Sequence, residues 1–230
     1  AITCSALPED IKKESSIKIP IFTQLSTGNN EIVYTLTKSI DFTAANQTEF
    51  ADVVQGSCTD YLINNVDIIT SANLDANNRL YFIESNVAEN GIFICNYNKD
   101  WRSGAQPLDW AEWKQVDNLL TTQEDKVFKF GVDPTTNSCY IEFKSNIGET
   151  IGSGIHIKYV VSAGENGNLS VGKLNQFFNN LQLSYMNNEN ESKTVSANSY
   201  FTVFNNFPLT NGRNPKDLNE TYEDYKRKKH

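Results

Sequence analysis

Along most of its length the chain alternates short β-like runs with turns rich in Asn, Gly and Asp, and this spacing restricts the fold more than any other feature. The clearest run is residues 31–40, where Ile32, Tyr34 and Leu36 alternate with Val33, Thr35 and Thr37. A period of two sends successive side chains to opposite faces of a strand, and β-branched residues suit a pleated surface. Residues 17–22 read as the partner strand, joined through Ser26, Thr27, Gly28, Asn29 and Asn30, a stretch that tolerates positive φ. Further runs fall at 52–54, 59–63, 67–70, 80–83, 91–96, 127–132, 139–143 and 155–162. The last three include a hairpin across Asp133-Pro134-Thr135-Thr136-Asn137, whose proline presets φ. Short strands at such regular spacing predict an α+β, mainly β chain with an antiparallel, β-sandwich-like core.

Helical periodicity is confined to three places. Residues 7–13 could form a short helix with Pro8 in its first turn, and 169–181 carries Leu174, Phe177, Phe178 and Leu181 at helical spacing, weakened by Gly172. The best-marked helix is C-terminal: Asn214 suits an N-cap, Pro215 the first helical position, and Asp217 the positive end of the dipole. Leu218, Tyr222 and Tyr225 then share one face. That stripe is narrow, so the helix is expected to complete its packing with sequence beyond His230 or with another subunit. The linear organisation read from these signals is an N-terminal helix and hairpin segment at 1–50, a β-rich core at 51–205, and a linker with the C-terminal helix at 206–230.

Charge and cysteine usage exclude several classes. At 230 residues the chain can bury a core without disulfide or metal support. Twenty Lys and Arg against 28 Asp and Glu give a net charge of −8, the wrong sign for a domain that neutralises phosphates, so nucleic acid is not expected as a partner. No stretch approaches the roughly 18–20 apolar residues of a spanning helix, and no membrane insertion is expected. Cys4, Cys58, Cys95 and Cys139 form no CxxC pair, and with only His156 and His230 there is no zinc pattern. Four free thiols and no cofactor are the expectation.

Each catalytic template fails for a nameable reason. Ser170 and Lys173 match an SxxK spacing without the companion motifs that give it meaning. Gly152-Ser153-Gly154 is neither a nucleophile elbow nor a phosphate loop. Asp133, Thr135, Asn137 and Glu142 resemble a calcium loop, but the glutamate falls two positions early and the central glycine is missing, so a hairpin is favoured. His156, between Ile155 and Ile157, points away from both and reads as a surface or interface residue. Trp101, Trp110 and Trp113 form the densest aromatic cluster, suited to core anchoring or to a binding surface. The reading is of a non-enzyme.

Several blocks in order then resemble a known family. VFKFGVD, CYIEFKSNIGETIGSG and IHIKYVVSAGENGN within 126–168 are similar to the signature stretch of the baseplate J and baseplate wedge family of contractile-tailed phages and related injection machines. In that stretch a glycine-rich turn leads to a strand that closes in Tyr-x-x-[Ser/Thr]-x-Gly-x-x-Gly-Asn, matched here by Tyr159, Ser162, Gly164, Gly167 and Asn168. Gly148, Gly152, Gly154, Gly164 and Gly167 are the candidate turn glycines. Trp113 and Val116, the Ile19-Pro20 and Glu31–Tyr34 stretches with Asp41, the Val53-Val54-Gln55-Gly56 run, and Gly212, Asn214, Pro215, Leu218 and Tyr222 resemble further family blocks. Two places depart from the pattern: Phe143-Lys144-Ser145-Asn146 replaces an acidic FGDG turn, and Asn211-Gly212 replaces Gly-Gly.

The resemblance implies a structural subunit, a fragment of a longer protein, that assembles with other baseplate subunits and another copy of itself. It places the chain in the virion tail baseplate, assembled in the host cytoplasm, and offers no catalytic residues. Trp101, Trp110, Trp113, Leu218, Tyr222 and Tyr225 are the candidate interface residues. The alternative is a carbohydrate-binding β-sandwich adhesin or tail receptor-binding module, which should expose two or more aromatics along one groove.

Overall fold

The structure, a computed structural model, describes residues 1–13, 15–97 and 109–210. In chain order its strands are β1 (Ile2–Cys4), β2 (Ile17–Ile19), β3 (Gln24–Ser26), β4 (Val33–Leu36), β5 (Ile40–Phe42), β6 (Thr48–Glu49), β7 (Val53–Gln55), β8 (Ser57–Asp60) and β9 (Arg79–Tyr81). They continue with β10 (Val87–Asn96), β11 (Lys114–Gln115), β12 (Val127–Val132), β13 (Cys139–Phe143), β14 (Ile155–Val161), β15 (Gln176–Phe177), β16 (Gln182–Met186), β17 (Ser192–Ser196) and β18 (Phe201–Val203). Two short helices accompany them, α1 (Ile147–Ile151) and α2 (Ala197–Tyr200). The chain is therefore an α+β, mainly β protein with several antiparallel sheets.

The described residues divide into two compact units, one formed by Ala1–Ser57 with 162–210 and the other by Cys58–Val161. In the first, β1 lies between β18 and β6, β15-β3-β4-β7 forms a four-stranded sheet, and β16-β17 and β2-β5 are two-stranded ladders. Alternation decides which faces are buried: Ile17 and Ile19 are fully buried while Lys18 between them is exposed, and Ile40 and Phe42 flank exposed Asp41 in the same way. Phe42 meets Phe201 edge-on at a centroid distance of 4.9 Å in this core. Each such fully buried side chain contributes about 1.5–3 kcal/mol.

The second unit holds the sheets β10-β14-β8 and β11-β12-β13-β9. The β11–β12 pair runs parallel, whereas β12–β13, β13–β9 and β10–β14 are antiparallel. Ile94, Ile141, Ile151, Ile155 and Phe128 centre its core. The β12–β13 hairpin turns where the Asp133–Asn137 stretch predicts it: Asp133 accepts from the Thr135 and Thr136 amides, and Asn137 takes φ +57°. Those amide bonds hold the Asp133 carboxyl below its usual range, and the loop is a hairpin turn.

Three expectations are corrected. Residues 7–13 form no helix; Ile11 donates to Pro8 in a turn and bridges Asn187. Residues 169–181 are likewise extended. Leu169 bridges Leu209, 176–177 is β15, and the amides of Leu174, Asn175 and Phe178 donate to Asn205, Ser26 and Gln24 respectively. Gly172 at φ +73° breaks any helical run there. Tertiary partners thus took the amides that a helix would have used. Finally, β2 pairs with β5, and β3 is the hairpin partner of β4 around the Asn-rich turn. The C-terminal helix expected from residue 215 lies outside the described residues.

Candidate functional site

The glycine block becomes a bonded turn at the exit of β14. Ser162 Oγ accepts from the Gly164 amide at 3.0 Å and donates to Gln55 Oε1 at 2.5 Å. Gln55 Nε2 in turn donates to the Gly164 carbonyl at 2.9 Å. Gly164 sits at φ +61° and opens the 3-10 turn Gly164–Gly167. Tyr34, the Cα partner of Gln55 across β4–β7, donates from its hydroxyl to the Gly167 carbonyl at 2.7 Å. Burial pushes the Tyr34 phenol up to about 12. The motif residues Ser162, Gly164 and Gly167 are thus collected around two side chains more than a hundred positions away. Nothing in the linear sequence marks Gln55 for that role, because an amide's partners are set by topology.

The other turn glycines behave separately. Gly148 lies inside α1, and Gly152 caps it at φ +58°. Gly154 takes φ +135°, and a Cβ there would stand 2.6 Å from Ile68 Cγ2 and 3.2 Å from the Ile69 carbonyl oxygen. The approach is close because Ile155 and Ile69 exchange both backbone bonds, at 2.8 and 2.9 Å.

Of the tryptophans, Trp113 is a core anchor at 5% exposure. Its indole donates to Asn96 Oδ1 at 2.7 Å, and its ring meets Phe143 edge-on at 5.6 Å. Trp110 is half-buried with the Lys158 ammonium 5.8 Å from its ring centroid. Trp101, Leu218, Tyr222 and Tyr225 lie outside the described residues, so of the candidate interface set only Trp110 and Trp113 are described.

His156 is a correction of a different kind. It does point away from Ile155 and Ile157, yet it is buried, because β14 sits between β10 and β8 with side chains buried on both faces. Its Nδ1 lies 3.0 Å from the Asp67 carbonyl oxygen and its ring 5.4 Å from Tyr97. Cys95, its Cα partner, is buried and pushed up to about 12, first by desolvation and then by Glu112. Cys58 is raised to about 11 by desolvation. Such thiols stay protonated at neutral pH and are poor nucleophiles. The four cysteines are unpaired. Among the described residues no three metal-ligating side chains converge, and no helix is long and apolar enough to cross a membrane.

The feature with the form of a recognition surface is one that the sequence reading did not single out. In the sheet β18-β1-β6, Thr3 pairs with Thr202 on one side and Thr48 on the other. Alternation buries Ile2, Cys4, Phe201 and Val203 and turns Thr3, Thr48 and Thr202 outward. Two residues along from Thr202 and Thr48 stand Phe204, 49% exposed, and Phe50, 75% exposed. Phe204 and Ala1 exchange backbone bonds at 2.9 and 2.6 Å, which continues the ladder past β18. The Phe204 ring edge passes 3.0 Å from the position a Cβ of Gly172 would take. A signal existed in the alternation of Ile2-Thr3-Cys4 and Phe201-Thr202-Val203, but three-residue strands are too short to announce themselves.

No protein-family model matches the chain, and no curated protein matches it.

Proposed function

We propose that the chain is a structural subunit of the baseplate wedge type, working in a phage-type contractile tail through protein–protein contacts. The observation that carries the reading is the outward face of the β18-β1-β6 sheet, where Thr3, Thr48, Thr202, Phe50 and Phe204 present aromatic and hydroxyl groups with no charged side chain among them. Exposed phenylalanines at 75% and 49% are costly in a free chain and suited to a surface that a partner covers. The resemblance of 126–168 to the baseplate family points the same way, and its glycine block is a bonded turn around Gln55 and Tyr34. Burial of Trp113 in the core takes it away from any sugar-stacking platform.

The test is genetic and structural. Particles made without this chain should lack an assembled baseplate when imaged by electron microscopy. Intact baseplates that fail to adsorb would favour the adhesin alternative instead, and unchanged particles would refute both.

A further inference from the structure

We infer that Asn90 is a site of spontaneous deamidation in the folded chain, and that the bulge carrying it lets the product form without loss of the fold. The inference is independent of the assembly reading above.

The sequence holds three Asn-Gly pairs, Asn90-Gly91, Asn166-Gly167 and Asn211-Gly212, of which the first two lie among the described residues. An asparagine followed by glycine is open to attack on its own carboxamide, because glycine has no Cβ to hinder the approach of its amide nitrogen. Asn90 and Asn166 are both exposed, so local sequence and solvent access are matched. What separates them is the backbone.

Asn90 stands in a break of the β10–β14 ladder. Val87 pairs with Val161 and Ile92 with Tyr159, so Ala88, Glu89, Asn90 and Gly91 stand opposite the single residue Val160. β10 is also an outer strand of the sheet β10-β14-β8. Ring closure needs the Gly91 nitrogen to eclipse Cβ of Asn90, a ψ that neither strand nor helix supplies, so the peptide between them must rotate. A bulge makes that rotation without breaking a ladder pair. Val87 and Ile92, each 7% exposed, anchor it on both sides. Gly91 is buried, but the attacking nitrogen belongs to the peptide it shares with exposed Asn90.

Asn166 lies in the 3-10 turn Gly164–Gly167, where the same rotation is blocked. The Gly167 carbonyl accepts from the Tyr34 hydroxyl at 2.7 Å, and the Gly164 carbonyl from Gln55 Nε2 at 2.9 Å. Gln55 also fills the space beside Gly167, with Nε2 1.0 Å from the place of a Cβ. Turning the 166–167 peptide drives it against Gln55 and breaks these bonds.

The chemistry needs only water. The Gly91 nitrogen gives its proton to solvent base and attacks Cγ of Asn90. The N–Cγ bond forms, the Cγ–Nδ2 bond breaks, and the leaving nitrogen takes up a proton and departs as ammonia, which closes a succinimide. Water then opens the ring at Cγ to give aspartate, or at the main-chain carbonyl to give isoaspartate, whose backbone runs through Cβ and Cγ. In sum a carboxamide and water become a carboxylate and ammonium. Isoaspartate lengthens the backbone by one carbon, which the unpaired residues of the bulge absorb. The new carboxylate stands next to Glu89, on a chain already at −8.

The experiment is a time course of peptide mapping by mass spectrometry on the full chain held at mildly alkaline pH. Trypsin places Asn90 in the peptide 80–99 and Asn166 in 159–173, and fragmentation assigns the converted residue. In the native chain Asn90 should convert at least about tenfold faster than Asn166. In urea, where local sequence alone acts, the two rates should come together. Gln55→Ala should speed Asn166 in the native chain and leave Asn90 as it was. Asn90→Asp, the simpler product, should melt near the parent. An Asn90 that stays unconverted in the native chain, or converts no faster than Asn166, overturns the inference. So does a difference that persists unchanged in urea, or an Asn166 rate unmoved by Gln55→Ala, since either takes the backbone away as its cause. An Asn90→Asp chain that fails to fold would overturn the statement that the bulge accepts the product.

Discussion

The side-chain amide of Gln55 occupies the space that a Cβ of residue 167 would need: its Nε2 lies 1.0 Å from that position. A glycine at 167 is therefore a condition for the two bonds by which Gln55 holds the turn, to the Gly164 carbonyl and from Ser162 Oγ.

Gly167→Ala should force the Gln55 side chain out and cost about 1–3 kcal/mol, the value of the hydrogen bonds lost and of groups left unsatisfied. Gln55→Ala removes the obstruction and the same bonds together. Adding Gly167→Ala to Gln55→Ala should then cost much less than in the parent. Urea unfolding of the four variants checks this, and strictly additive losses would mean the two residues are not coupled.

Gly154 and Gly152 separate two reasons for a glycine. Nothing lies within 4 Å of a Cβ at Gly152, so Gly152→Ala meets only backbone strain, at φ +58° and ψ −118° outside the left-handed region open to side chains, about 1–3 kcal/mol. At Gly154 the new methyl also strikes Ile68 Cγ2 and crowds the Ile69 carbonyl oxygen, in a backbone region closed to side chains. Gly154→Ala, with this clash added to its backbone strain, should cost more than Gly152→Ala in thermal or urea unfolding; equal losses would show that the 68–69 segment yields freely.

How much of this was legible beforehand depended on the length of the signal. The β12, β13 and β14 runs are five to seven residues long with Asn- and Gly-marked turns, and they stand where the periodicity puts them. The reading failed at 169–181, where Leu174 and Phe177 have helical spacing and are both buried, because the amides are claimed by Asn205 and β3. It failed at His156 for lack of any local mark that β14 would be covered on both faces. Of the proposed surface, Phe50 and Phe204 looked like ordinary hydrophobes, since exposure follows from β6 and β18 joining β1 from opposite sides.

Alkaline stability follows from the buried acids. Cys95 rises from 9.0 to about 12 and Tyr34 from 10.0 to about 12 on folding, both chiefly by desolvation. A group whose folded pKa is raised contributes stability that is complete below its unfolded value and lost as pH climbs towards the folded one. The chain should therefore weaken from about pH 9 upward, with each group adding a slope of up to about 1.4 kcal/mol per pH unit. Cys95→Ala should flatten the slope of the urea midpoint between pH 9 and 10, the interval before Tyr34 begins to contribute. An unchanged slope would assign the loss to other groups.

The same burial governs thiol chemistry. Cys4, Cys95 and Cys139 are buried and Cys58 half-buried, all unpaired. A thiol reagent at pH 8 should react slowly with the native chain, Cys58 first, and should count four thiols once the chain is denatured without reductant. Rapid labelling of more than one thiol in the native state would contradict the burial described.

The pairing of Ile2 with Val203 sets an order of events during synthesis. β1 leaves the ribosome well before β18, one of its two ladder partners, which is made almost two hundred residues later. The described part of the second unit, Cys58–Val161, is continuous and can close its own sheets while β1 waits. Closing the outer sheet then joins the ends of a long loop, a step whose entropic cost grows only slowly with length but whose timing is fixed by translation. Until β18 arrives, Ile2 and Cys4 have no complete core to enter, so the newborn chain carries an unpaired strand edge that chaperones or a neighbouring chain could capture.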